Sequence, residues 1–420
     1  MVHIASMGCK LNQAEAESFA WQFLDRGCRL TDSAADADIV VLNTCTVTHV
    51  ADRKCRQWLR AARRQNPQAL LAAVGCYSHR APGEVRQLNV ADLVLDNRDK
   101  EHLVDTLDQA RGLDSNAEKA AGYRVSRRAR AFLKVQEGCN GRCSFCIVPY
   151  TRGRERSLPI EEVVAAVARQ VDAGYREVVL TGTNIGAYRV NGDSTDGLAH
   201  LIQEVLRSTR VERVRLSSLR PQDITPRLVE IWRDDRICPH LHMSLQCGSQ
   251  TVLHRMNRGY SLEEFAGASA LLRDVVPDLA ITTDVIVGFP GENQREFQES
   301  LDFCQRMGFA RIHVFSYSAR RGTPAAEMPD QVPEPVKKER SRRMLALAKE
   351  SAGRYRSRFL GRTEPVLWER KVSETTWTGL TGNYLRVFAE SELDLGNCLM
   401  ETKLTREQGN GLTGELIVGG

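Results

Sequence analysis

The chain has 420 residues, with 58 Lys and Arg against 53 Asp and Glu, a formal charge of +5 and 42% hydrophobic residues. That length exceeds one ordinary domain and calls for two or three, each long enough to bury its own core. So small a charge excess does not by itself mark a nucleic-acid binder, and with no apolar run of membrane length and no signal-peptide pattern the expected setting is the cytoplasm, without a membrane partner.

The first hundred or so residues alternate strand and helix patterns. Residues 3–7, 37–42, 70–74 and 92–95 read as strands. Between and after them, 12–26, 48–64, 82–88 and 100–110 read as helices, the first with Ala16, Phe19, Ala20 and Phe23 on one face and the second ending in bases before Asn66-Pro67. This order predicts a doubly wound parallel sheet over residues 1–112, with helices on both faces. The chain has twelve cysteines, which without an export signal suit metal ligation better than disulfides. Cys9, Cys45 and Cys76 each fall just past a predicted strand, the edge at which open parallel sheets bind ligands, so three thiols distant in sequence are expected to converge. Gly8 and Gly75 allow the tight backbone such loops need. Residues 113–130 lack apolar periodicity and read as a linker, its basic end at 123–130 a solvated charge run.

From residue 131 the alternation restarts. A strand at 132–136 leads into Gly138-Cys139-Asn140-Gly141-Arg142-Cys143-Ser144-Phe145-Cys146, which sets three thiols in one loop at C-x3-C-x2-C spacing. A four-iron, four-sulfur cube normally takes four cysteines, so three would leave one iron open, whereas a closed zinc site would want a fourth Cys or His that the loop lacks. Ile160, Val163, Val164, Val167 and Val171 keep helical spacing. Strands at 177–180, 214–216, 242–245, 280–287 and 311–315 complete six β/α units, an incomplete barrel over 131–360 whose chemistry belongs at the carboxyl ends of its strands. Small and hydroxyl residues gather there, among them Thr181-Gly182-Thr183 and Ser217, fit for a polar ligand or simply for turns.

Residues 337–358 form a basic helix with a partly apolar face, whose arginines could meet phosphate or solvent. Beyond 361 short β segments suggest a small barrel over 361–420, with Trp377, Tyr384 and Arg386 as candidates for RNA stacking and phosphate contact. Cys28, Cys55, Cys238, Cys247, Cys304 and Cys398 lack cluster spacing and read as small core residues, although Cys55, one helix after Cys45, could reach a cluster there.

The loop at 139–146, with an aromatic before its third cysteine, resembles the radical S-adenosylmethionine (SAM) superfamily. The resemblance implies that Cys139, Cys143 and Cys146 hold a 4Fe-4S cluster, that SAM chelates its open iron, and that one electron releases a 5′-deoxyadenosyl radical. It places the backbone at Phe145 against adenine, Thr181, Gly182 and Thr183 at the SAM amino group, and Ser217 near ribose and carboxylate; the usual Gly-Gly-Glu pattern is absent here. The cysteines at 9, 45 and 76, with Asn43-Thr44-Cys45-Thr46-Val47-Thr48 and the segment at 315–325, resemble the methylthiotransferase branch, in which such a triplet holds a second, auxiliary 4Fe-4S cluster. The Thr-Cys-Thr-Val-Thr run is most similar to the type acting on threonylcarbamoyladenosine of tRNA, and Gly382-Asn383-Tyr384 resembles the RNA-binding TRAM domain. The family implies methylthiolation at C2 of adenosine 37, with one SAM donating methyl to an auxiliary-cluster sulfur and another yielding the radical, an anticodon stem-loop as partner, and a reductant such as flavodoxin or ferredoxin. The same chemistry on isopentenyladenosine or on a ribosomal-protein aspartate, and a non-catalytic iron–sulfur RNA-binding protein, are the rival readings.

Overall fold

The computed structural model describes residues 1–112, 129–189, 196–276 and 278–417; most of the linker expected at 113–130 lies outside them. Strands β1 (Val2–Ser6), β2 (Ile39–Thr44), β3 (Leu70–Gly75) and β4 (Leu93–Val94) form one parallel sheet in that order. The central strand β2 is buried on both faces, as an unbroken apolar run requires. Ile39 and Val41 pack with Phe19 and Phe23 of α1 (Lys10–Asp25), while Val40 and Leu42 pack with Cys55 and Leu59 of α2 (His49–Gln65). Helices on both faces are therefore present, completed by α3 (Cys76–Arg80), α4 (Pro82–Arg86) and α5 (Leu103–Arg111).

The barrel is built from β5 (Arg130–Glu137), the short antiparallel β6 (Arg156–Ser157), β7 (Glu177–Gly182), β8 (Arg213–Leu216), β9 (Ser218–Leu219), β10 (His240–Met243), β11 (Ala280–Val287) and β12 (Arg311–Ser316). They lie as two sheets, β6-β5-β7-β8 and β12-β11-β10-β9, which meet where β8 passes into β9 across Ser217. Counting β8 and β9 as one bent strand gives the six parallel units expected, and no pairing of β5 with β12 closes the ring among the described residues. Helices α6 (Val148–Arg152) and α7 (Ile160–Asp172) follow β5 and β6. Ala131, Val135 and Val178 join Val163 and Val167 of α7 in the main core, whereas Phe132 and Val179, on the opposite face, meet Ala14 of α1. Helix α1 of the first sheet thus lies on the concave side of the open barrel and is buried on two flanks. Its single apolar face predicts only one.

Strands β13 (Thr363–Lys371), β14 (Thr376–Thr381), β15 (Arg386–Glu390), β16 (Leu399–Gln408) and β17 (Gly411–Leu416) close a small barrel in the order β13-β14-β15-β17-β16. Two of the expected RNA-stacking side chains are not available there. Trp377 is only 5% exposed and packs inside the small barrel with Val366 and Leu404. Tyr384 receives a 2.8 Å hydrogen bond from Arg130 Nη1, lies under Arg215 at 4.2 Å and packs on His240 at 4.5 Å, so its ring anchors the small barrel to the base of the large one. An exposed aromatic and an interdomain anchor look alike in sequence. The helix Glu334–Ser357 packs Met344 and Ala348 on the main core, and its arginines are engaged in place: Arg340 to the Glu292 carbonyl, Arg342 to Glu339, Arg343 to Gln298 and Arg354 to Glu350. Among the described residues no helix is long and apolar enough to cross a membrane.

Candidate active site

Cys9 caps the start of α1, Cys45 directly follows β2 and Cys76 opens α3, so the parallel register of β1, β2 and β3 brings the three loops to one edge. Contact is close: Gly8 has φ +103°, and a Cβ added there would stand 2.6 Å from the Cys45 sulfur. Cys9 is open to solvent, whereas Cys45 and Cys76 are buried. Desolvation by the surrounding protein pushes the Cys9 thiol up, Arg152 opposes and the Cys76 thiol adds to the rise. Burial pushes Cys45 up to about 12, with Cys9 and Cys76 contributing. Thiols held this way need a metal to displace their protons before they become good ligands. Cys55 stands behind the loop, fully buried, accepting the Cys45 N–H at 3.4 Å and donating to the Cys45 carbonyl at 3.5 Å. It backs Cys45 and is itself bonded to that residue's backbone.

The second triplet lies at the carboxyl end of β5. The Gly141 N–H donates to Cys139 Sγ at 3.3 Å, Arg258 Nη1 donates to Cys143 Sγ at 3.2 Å, and the Cys146 N–H closes a turn onto the Cys143 carbonyl at 3.1 Å. Burial pushes Cys146 up to about 12, and Cys143 and Cys139 add to it. The loop is clamped at Ser144, whose N–H and Oγ donate to the carbonyls of Met256 and Arg255 and whose own carbonyl accepts from Ala325. The Phe145 ring packs on the barrel core. Gly138 has φ +77°, and a Cβ there would fall 1.9 Å from the Arg154 carbonyl oxygen. Gly138→Ala is therefore expected to displace the loop and cost about four irons per reconstituted chain, one cluster of two, while the other triplet stays loaded. Iron analysis checks this, and an unchanged iron count would refute it.

Arg258 is a residue that sequence reasoning missed. It is deeply surrounded, and although burial works against its charge, Tyr260 and Cys143 hold it protonated. It follows Asn257, which bonds the Arg142 carbonyl at 2.7 Å, and no spacing in the sequence links either residue to the cysteine loop. Both triplets thus offer three convergent sulfurs with N–H donors beside them, which fits a thiolate-bound cluster. No three Cys, His, Asp or Glu side chains among the described residues close on a single metal ion. A cube makes a different demand, since each thiolate meets its own iron.

Thr181 is buried at the end of β7, and Ser217 lies at the bend between β8 and β9. The hydroxyls of Thr183 and Ser217 are buried without a hydrogen-bond partner. Leaving such groups unmet is costly, so both fit a polar cofactor that supplies the missing bonds. Gly182 has a packing reason as well: a Cβ would lie 2.7 Å from the Gln136 carbonyl oxygen, and Gln136 Oε1 accepts the Asn184 N–H at 2.8 Å.

The two triplets are tied to each other. Asn97 Nδ2 donates to the Thr151 carbonyl at 2.7 Å and lies 3.7 Å from Cys76 Sγ. Arg152, at the end of the helix behind Cys146, donates to Glu15 at 2.7 Å, Glu137 at 2.9 Å and Asn12 at 2.5 Å, and Asn12 in turn lies 3.6 Å from Cys9 Sγ. Lys100 bonds both Glu15, at 2.5 Å, and Glu137. Asn12, Glu15 and Lys100 escape periodicity arguments because they are polar and their burial depends on a partner sheet.

Residues 133–304 match the family described as the Radical SAM superfamily, and residues 1–96 match Uncharacterized protein family UPF0004. The chain is 40% identical to the threonylcarbamoyladenosine tRNA methylthiotransferase MtaB of Bacillus subtilis, covering 96% of this chain and 93% of that protein. It is 36% identical to the MtaB of Thermotoga maritima, over 92% and 90% of the two chains. With a tRNA-2-methylthio-N(6)-dimethylallyladenosine synthase of Acetivibrio thermocellus the identity is 33%, over 98% and 90%. Among solved structures, the radical SAM methyltransferase TsrM of Kitasatospora setae shares the fold with a TM-score of 0.56 at 14% identity, over 77% of this chain and 74% of that one. With two thiol triplets on segments joined through Asn97 and Arg152, and relatives this similar along almost the whole sequence, the chain belongs to the radical SAM methylthiotransferases, in the family of the MtaB enzymes.

Proposed function

We propose that this enzyme replaces the C2 hydrogen of N6-threonylcarbamoyladenosine at position 37 of tRNA with a methylthio group, giving 2-methylthio-N6-threonylcarbamoyladenosine. The observation that carries the reading is the linkage of the two cysteine-bearing segments through Asn97 and Arg152, which supports a shared site for both triplets. The choice of base rests on the higher identity to MtaB relatives, 40% against 33% for a dimethylallyladenosine synthase. The aromatic C2–H is neither acidic nor electrophilic enough for ordinary acid–base chemistry. Enzymes of this family use SAM and 4Fe-4S clusters, which when bound supply the electron, the 5′-deoxyadenosyl radical and the sulfur.

The chain's own part is to hold these reactants close and charged as required. Cys139, Cys143 and Cys146 would carry the radical-generating cluster, and Cys9, Cys45 and Cys76 the sulfur-delivering one. Arg258 and the Gly141 N–H donate to Cys143 and Cys139 Sγ, and Asn97 and Arg152 stand beside Cys76 and Cys9. The backbone at Phe145 and residues Thr181, Gly182, Thr183 and Ser217 would receive SAM, with the free hydroxyls of Thr183 and Ser217 as donors. The anticodon stem-loop would present the base at the cleft. Reduced flavodoxin or ferredoxin would deliver electrons in the cytoplasm.

Mass spectrometry of tRNA nucleosides from cells with and without the gene tests the reading. Loss of 2-methylthio-N6-threonylcarbamoyladenosine, with its unthiolated precursor accumulating, is expected. Loss of the isopentenyl counterpart instead would reassign the base, and unchanged tRNA nucleosides would reject tRNA as substrate.

A further inference from the structure

We infer that the outward face of helix α2 is a phosphate-binding track for the RNA that enters the cleft; this rests on the tRNA reading above. The helix runs from His49 to Gln65 and carries Arg53, Lys54, Arg56, Arg60, Arg63 and Arg64 against a single acid, Asp52. Its inner face buries Asp52, Cys55, Leu59 and Ala62 against the first sheet. Arg53, Arg60 and Arg64 follow one another at intervals of seven and four residues, which puts them on one outer stripe, with Lys54 beside it. All four are exposed, and none has an ion pair or a side-chain hydrogen bond among the described residues. At about 1.5 Å per residue the stripe is roughly 16 Å long, enough to follow several phosphates of one strand.

Several helical arginines elsewhere on the surface are paired within their own helix, Arg207 with Glu204, Arg295 with Glu299, Arg342 with Glu339 and Arg354 with Glu350, and on α2 the flanking Arg56 and Arg63 meet Glu84 and Asp92 of neighbouring segments. Helix α2 offers its outer stripe no acid of its own. Its one acid faces inward, where Asp52 accepts from Arg80 at 3.1 Å, from Arg320 at 2.7 Å and from Thr46 at 2.6 Å. The stripe of Arg53, Lys54, Arg60 and Arg64 is left cationic and unpaired among the described residues, and its run along one line suits the regularly spaced charges of a phosphate backbone.

The placement of the stripe points the same way. The helix starts four residues after Cys45, and the His49 N–H approaches Ser318 Oγ at 3.4 Å, while Arg320 from the loop after β12 reaches back to Thr46 at 2.7 Å. These bonds fix the start of α2 at the join between the first sheet and the barrel mouth. Val47 and Val50 stand exposed at that end of the helix, and Phe315 is exposed on β12 just before the loop that carries Ser318. Apolar groups at the rim and unpaired cations leading away from it match a flipped base flanked by backbone phosphates.

The test uses the full cluster-loaded enzyme and a synthetic anticodon stem-loop hairpin, with dissociation constants measured across a salt series. The variant R53Q/R60Q/R64Q is compared with R207Q/R342Q/R354Q, which removes the same charge from paired positions. The first is expected to lower the slope of log affinity against log salt by about two to three and to weaken binding on the order of tenfold to a hundredfold at low salt. The second should change neither by more than about one unit of slope. Melting temperature and cluster absorbance report that both variants fold. Equal effects from the two triples, or no effect from the first, would overturn the track while leaving the tRNA reading intact. Failure of the unaltered enzyme to bind the hairpin at any salt would sink both.

Discussion

Replacing Cys76 by Ala is expected to lower the iron content of anaerobically reconstituted enzyme from about eight to about four per chain and to abolish methylthiolation, while SAM cleavage to 5′-deoxyadenosine persists. The separation follows from geometry. Cys76 opens α3 at the edge of the first sheet, where its thiol shares space with Cys9 and Cys45, whereas the loop that would serve SAM is clamped from the barrel side by Ser144, Arg258 and Ala325. Removing one sulfur from the first group leaves every bond of the second in place. Cys143→Ala should show the reverse, with cleavage lost and the other cluster kept. Loss of SAM cleavage in the Cys76 variant would show that the two triplets do not have separate roles. Iron analysis and product chromatography read both outcomes.

Replacing Lys100 by Met is expected to destabilise the chain by roughly 3–5 kcal/mol at neutral pH, the usual cost of breaking a buried charge pair from one side. Lys100, Glu15 and Glu137 are 1%, 2% and 3% exposed, and with Arg152 they hold α1 to the barrel. Burial pushes the Glu15 carboxyl up, but Arg152 and Lys100 overcome it and keep it well below the usual carboxylate range. A carboxyl depressed in the folded state contributes stability that is present above its ordinary pKa and fades as pH falls through the lowered value. In the variant the carboxyl loses part of that support, so its folded pKa rises and protonation relieves the deficit as pH falls. The difference between the two proteins in chemical denaturation should therefore be largest near pH 7.5 and narrow as pH falls below the ordinary carboxylate range, towards pH 3. A gap of equal size at both would show that lost packing, not lost charge, is responsible.

The reach of the sequence was uneven for physical reasons. Strands β2 and β3 are short apolar runs bounded by turn residues, and burial of both faces makes such runs legible without any partner. The cysteines at 139, 143 and 146 are legible because one loop carries all three. Cys9, Cys45 and Cys76 are legible because each follows a strand of one parallel sheet, so topology alone brings them together. Trp377 and Tyr384 were misread as free aromatics, since a ring packed inside a small barrel or wedged between arginines of a neighbouring one has the same sequence surroundings as an exposed ring.

What the sequence by itself determined, then, was the order of the elements, the two thiol triplets and the family to which they belong, because local periodicity and strand-end position carry that information. Only the tertiary structure decided how the triplets are joined. Asn97 and Lys100, Arg152 and Glu15 come from three separate segments, and Arg258 reaches its cysteine across 115 residues of chain. Polar side chains of this kind become partners only when packing excludes water around them, and that exclusion is a property of the assembled domains rather than of any one stretch of sequence.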